Sequence, residues 1–113
     1  MSAGFASFRD FYPYYLAEHR NATCRRLHFA GSALVLAIVA AAVALRQWNL
    51  LWLAPLAGYG FAWVGHFGFE KNRPATFRYP WYSLAGDWVM FWQLLTGAIP
   101  FDEGKAAHVE RNP

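Results

Sequence analysis

Three histidines of this 113-residue chain stand where an imidazole is hard to account for as packing alone. His19 ends an aromatic stripe, His28 opens a long apolar run, and His66 lies near the end of a second. The fourth, His108, falls in a charged tail and reads as a solvated side chain. Acids accompany the first three. Glu70 follows His66 by four residues, one face of a helix that continues that far, and Asp87 lies six residues into a third apolar run. Glu18 precedes His19 and is placed to support it from behind. An ionisable group inside an apolar span is costly, and it faces the protein interior with a partner.

Histidine with carboxylate suits Fe, Zn or Mn. Two or three histidines plus a carboxylate, with coordination positions left open, suit non-haem Fe(II) and oxygen chemistry. No HExxH or HxD pair occurs, so no local motif selects the metal. Two other readings stay open at this point: axial ligation of haem by two histidines, and interfacial histidines with no metal at all. The single cysteine, Cys24, excludes an internal disulfide framework and a cysteine-rich zinc site.

The elements that must carry these groups are greasy. Hydrophobic residues make up 57% of the chain and charged ones only 15%, and a chain this short has little interior in which to hide six Trp, six Tyr and ten Phe. Apolar runs cover 27–45, 50–69 and 81–101. Runs of that length reach roughly 28–31 Å as helices, about the thickness of a bilayer's hydrocarbon layer. Leu34 to Leu45 is apolar on every side, and Trp48, Trp52, Tyr79, Trp81 and Tyr82 cluster at segment ends as interfacial aromatics do. Residues 5–20 read as an amphipathic helix lying on the membrane surface or capping the bundle. Phe5, Phe8, Tyr12, Tyr15 and His19 form its apolar stripe, and Pro13 argues for a start near Phe11 or a kink. The expectation is one all-α domain: this surface helix, three transmembrane helices and a polar tail over 102–113.

Basic residues orient it. Arg9, Arg20, Arg25 and Arg26 precede the first run and Lys71, Arg73 and Arg78 follow the second, whereas Arg46, Lys105 and Arg111 fall on the other side. That bias places the N-terminus and the histidines on the cytoplasmic side; the expected location is a bacterial inner membrane. The net charge of +3 is split between apolar runs rather than spread along one face, which excludes nucleic acid as a partner. A cleaved leader ending near residue 45 is disfavoured by its long n-region. Gly31, Ser32, Ala33, Ala37 and Ala41, with Gly58, Gly60, Ala62 and Gly65, allow close helix approach within a chain or in a homodimer. Asn21 or Thr23 caps the first long helix, and the resulting break lets His19 and His28 both point inward.

Two strings carry a family resemblance: Glu18-His19 through His28 to Gly31, and His66 through Glu70-Lys71-Asn72-Arg73-Pro74-Ala75-Thr76, followed by Ser83 and Asp87. The chain resembles the small membrane family that includes the fungal 2-hydroxy fatty acid dioxygenase. The resemblance implies an Fe(II)-dependent dioxygenase, with Zn(II) as the alternative ion, that shortens a long-chain 2-hydroxy fatty acid by one carbon with dioxygen. His19, His28 and His66 would be its ligands and catalytic centre. Glu70, Asp87 or Glu18 would be a further ligand or support, and Arg25, Arg26 or Arg73 would attract the substrate carboxylate. The reading from another class is a non-enzymatic lipid-binding or assembly protein of the membrane with structural histidines.

Overall fold

The computed structural model describes residues 4–102. His108, Lys105 and Arg111, and with them all but the first residue of the expected polar tail, lie outside the described residues. Four α-helices form the framework: α1 over Phe8–Ala17, α2 over Ala22–Leu45, α3 over Leu53–Val64 and α4 over Pro80–Thr96. A 3-10 segment at Trp48–Trp52 leads into α3, a π-helical turn at Gly65–Glu70 continues it, and a short 3-10 turn at Ala75–Phe77 precedes α4. No strand occurs among the described residues.

α1 begins three residues before Phe11, because Ser7 caps it by accepting the Asp10 N–H at 3.2 Å. Pro13 sits inside the helix. Its buried face is Phe11 and Tyr15, one turn apart, and Phe11, absent from the expected stripe, is 0% exposed. α1 packs on α4, where Phe11 and Tyr15 join Ala75, Met90 and Leu94 in one core. The helix therefore caps the bundle. On α4 the buried positions are Ser83, Gly86, Met90 and Leu94, spaced three, four and four residues apart, as one helical face requires.

Asn21 starts α2 in extended conformation, and its side chain accepts the N–H groups of Thr23 and Cys24 at 2.9 and 3.2 Å. Four of the five buried residues of α2 gather in its first half, Cys24, Arg25, His28 and Gly31, and the fifth is Ala42. The second half exposes Leu36, Val43 and Leu45. α3 packs along α2 through the small residues. A Cβ on Gly31 would meet the Phe61 Cβ at 2.9 Å, and one on Gly58 would meet Val35 at 3.3 Å.

Of the three expected spans, α2 alone is long and apolar enough to cross a membrane, among the described residues. The second run is not one α-helix. Its α-helical part covers 12 residues before the π turn, whose Gly65 lies so close to α2 that a Cβ would meet the Cys24 sulfur at 2.9 Å. The third stops at Thr96 rather than Phe101, because Gly97 takes φ 80° and closes the helix with a left-handed cap.

Candidate metal centre

His19 sits in the short break between α1 and α2, His28 faces inward from α2, and His66 is the second residue of the π turn. All three are buried, with 1%, 6% and 1% exposure. One ring nitrogen from each lies within 4.8 Å of the others. The rings meet almost at right angles, with centroids 4.4 Å apart for His19 and His28, 4.3 Å for His19 and His66, and 5.1 Å for His28 and His66.

The hydrogen bonds behind the rings fix their tautomers. His19 Nδ1–H donates to the Tyr15 carbonyl at 2.6 Å. Asn72 Nδ2 donates to the Glu18 carbonyl at 3.1 Å, which turns Oδ1 toward His66, and His66 Nδ1–H donates to it at 2.7 Å. Each neutral ring therefore presents an unprotonated Nε2, and those two atoms face each other at 2.8 Å. Burial, followed by the neighbouring imidazoles, holds the His19 pKa well below its usual value, so a proton shared between the rings is disfavoured. His28 Nε2 is buried with no hydrogen-bond partner. Three buried imidazoles so gathered could hold a metal ion, and those of His19 and His66 are oriented for it by the acceptors at their Nδ1 atoms.

The family described as 2-hydroxy-palmitic acid dioxygenase Mpo1-like matches residues 5–99. The chain belongs to this family. No curated protein and no solved structure matches the chain.

Within this Mpo1-like chain, the other residues singled out from the sequence take varied positions. Asp87 Oδ1 stands 3.8 Å from His28 Nδ1, too far for a hydrogen bond, and accepts the Tyr15 hydroxyl. Glu70 accepts the Asn21 backbone N–H, so it ties the end of the π turn to the start of α2. Glu18 caps α1, and its carbonyl receives Asn72. Behind His19 the supporting acceptor is the Tyr15 carbonyl. Arg25 is 1% exposed; its Nε donates to the His19 carbonyl at 2.6 Å and its Nη1 to the Pro100 carbonyl at 2.6 Å. Arg26 and Arg73 are exposed.

Two participants were missed from sequence. Tyr15 stacks on His19 at 4.0 Å between centroids while its hydroxyl reaches Asp87. Asn72 orients His66, although from sequence it reads as a turn residue. Its place six residues after His66 matches no α-helical repeat; the π turn closed by the left-handed Lys71 brings the two together.

A cavity of about 10 Å³ lies among the rings, bordered also by Tyr15, Thr76, Ser83 and Asp87. That is room for about one water-sized occupant. A groove of about 250 Å³ adjoins it through His28, Tyr59, Ala62 and Asp87 and runs between apolar walls that include Val35, Leu84 and Trp88.

Proposed function

We propose that this protein is an iron-dependent membrane dioxygenase that removes one carbon from a long-chain 2-hydroxy fatty acid. The observation that carries the reading is the facing pair of unprotonated Nε2 atoms on His19 and His66, with the unpartnered His28 Nε2 beside them. The residues fit a metal ion: they are neutral, buried nitrogen donors without an internal proton to satisfy them. The family's printed name supplies the substrate class.

His19, His28 and His66 hold the ion in this reading. Fe(II) suits an imidazole set with positions left open for substrate and dioxygen, and when bound it supplies the one-electron chemistry that lets dioxygen react with a closed-shell acid. Zn(II) is the alternative occupant, and it would move the chemistry toward hydrolysis. Cleavage of the C1–C2 bond with one dioxygen gives the acid one carbon shorter, carbon dioxide and water, which accounts for every atom. The protein's own contribution is positional. Asp87 stands at the edge of the small cavity as a fixed acceptor, and Tyr15 keeps its carboxylate in place. The apolar groove takes the alkyl chain, and its walls exclude water from the reacting carbons. Arg26 and Arg73 lie exposed and attract the substrate carboxylate on approach, whereas Arg25 acts from within through the His19 carbonyl.

Exposed apolar surface supports a membrane location. Besides α2, the other helices expose Leu56 at 71%, Trp92 at 62% and Leu95 at 55%, surfaces that lipid covers without cost. In this proposal the runs containing α3 and α4 also cross the bilayer, the histidines lie at the cytoplasmic end of a bacterial inner membrane, and substrate arrives from the leaflet.

The test is anaerobic purification followed by metal analysis and single-turnover assay with 2-hydroxypalmitate. About one iron per chain and a fifteen-carbon product support the proposal. A metal-free chain that cannot be loaded, or one that leaves the acid intact, sinks it.

A further inference from the structure

Two buried side-chain atoms among the described residues have no hydrogen-bond partner: His28 Nε2 and Ser83 Oγ. The histidine nitrogen belongs to the metal reading above. The serine hydroxyl does not. Ser83 is 3% exposed on α4, and a buried hydroxyl left unpaired has lost its water with nothing in exchange. A helical serine can avoid this by bonding to the carbonyl four residues back. Here the Tyr79 carbonyl accepts the Ser83 N–H at 2.8 Å, while the hydroxyl stays without a partner.

Ser83 and Asp87 border the same small cavity as the three imidazoles. They stand one turn apart on α4, so their Cβ atoms are roughly 5–6 Å from each other. One oxygen atom placed between them lies within hydrogen-bond reach of both side chains. Asp87 accepts the Tyr15 hydroxyl through one oxygen and keeps lone pairs to spare. The pair thus offers one donor and one acceptor toward a single point. That is the complement of an alcohol, which donates and accepts at the same atom. A carboxylate only accepts, so Asp87 repels it from this position. Beyond Asp87 the cavity continues into the apolar groove, in the direction an alkyl chain would take.

We infer that Ser83 and Asp87 form the recognition site for the 2-hydroxyl group of the substrate, an inference that rests on the substrate class proposed above. The hydroxyl donates to Asp87 and accepts from Ser83. An unsubstituted fatty acid leaves both groups unpaired, and a site built to bond a hydroxyl rejects an analogue without one.

The test compares equilibrium binding of 2-hydroxypalmitate and palmitate to the full chain by anaerobic titration calorimetry, for wild type and Ser83→Ala. The wild type prefers the hydroxy acid. Ser83→Ala weakens its binding about tenfold, the scale of one hydrogen bond, and leaves palmitate binding unchanged. The melting temperature does not fall, because the substitution removes a group with no partner in the fold. If Ser83→Ala retains the full preference, or melts several degrees lower, the recognition site is wrong while the proposed activity stands. If the wild type binds both acids equally, the substrate class and the recognition site fall together.

Discussion

Tyr15 lies so close to Gly86 that a Cβ at the glycine would meet the tyrosine ring at 2.9 Å. The ring has little freedom to withdraw. It stacks on His19 on one side and its hydroxyl is held by Asp87. Gly86 is thus the seat of an aromatic that positions a candidate ligand.

Gly86→Ala should therefore cost about 1–3 kcal/mol in stability, the scale of overpacking a tight interior, and should also weaken metal binding. Gly60 provides the control, since a Cβ there meets nothing within 4 Å. Thermal melts with and without added Fe(II) separate the two effects. Equal metal responses in both variants would show that Tyr15 does not transmit its position to His19.

The facing nitrogens of His19 and His66 make a second prediction, about metal removal. An ion bound only by the folded state stabilises it by about 2.7 kcal/mol when present at a hundred times its dissociation constant. Wild type should lose that increment on chelation. His19→Ala, His28→Ala and His66→Ala should each melt at a temperature that chelator does not change. A variant that keeps the wild-type response marks its histidine as lying outside the coordination set.

Much of this arrangement is legible in the sequence. The apolar runs locate the helices, and Asn21 announces the break that turns His19 and His28 inward. What stays hidden follows from departures from α-helical periodicity. Read at 3.6 residues per turn, Gly58, Ala62, His66 and Glu70 share one face. The π turn shifts that register after His66: His66 stays beside Ala62 at the small cavity, while Glu70 goes to the Asn21 N–H. The left-handed turn at Lys71 then brings Asn72 back to His66. Phe11 falls outside the stripe of Phe5, Phe8, Tyr12, Tyr15 and His19, yet packing against Met90 and Leu94 buries it beside Tyr15, with Phe5, Phe8 and Tyr12 at the margin of the core. The α-helix of the third run ends before the apolar stretch does, because hydropathy does not register the left-handed cap at Gly97.

Asn72 gives a third prediction. Its amide oxygen takes the His66 Nδ1 proton, which leaves Nε2 free for a metal. Asn72→Leu should reduce iron affinity roughly 10–100-fold, the usual range for a group behind a metal ligand. Asn72→Asp keeps an acceptor and should retain most of the affinity. Competition against a calibrated chelator measures both. If Leu binds iron as tightly as wild type, the tautomer of His66 is set by something else.

Arg25 holds two carbonyls, at His19 and Pro100, from a buried position. Hydrogen bonds from a charged donor are each worth about 1.5–3 kcal/mol, so losing two should destabilise the Arg25→Met fold by about 3–6 kcal/mol. Lysine lacks the fork that reaches both acceptors and should recover less than half of the loss. Iron content should fall in step with stability, since the His19 backbone is what the guanidinium secures. A stable Arg25→Met chain with full iron would reassign Arg25 to the substrate alone.

Alkaline pH tests the packing of α1. Burial raises the Tyr12 pKa to about 12, with Arg25 pulling slightly the other way, and burial together with Asp87 raises that of Tyr15 well above its ordinary value. An unfolded tyrosine ionises near pH 10. Between about 10 and 12 the unfolded chain releases protons that the folded chain keeps, so stability is intact below pH 10 and declines as pH rises through that window. The melting temperature should fall with pH less steeply for Tyr12→Phe than for wild type. A phenolate absorbance component titrating near pH 12 should be present in wild type and missing from the variant. Identical slopes and identical titrations would mean that Tyr12 is open to solvent, and that α1 does not close over α4 as described.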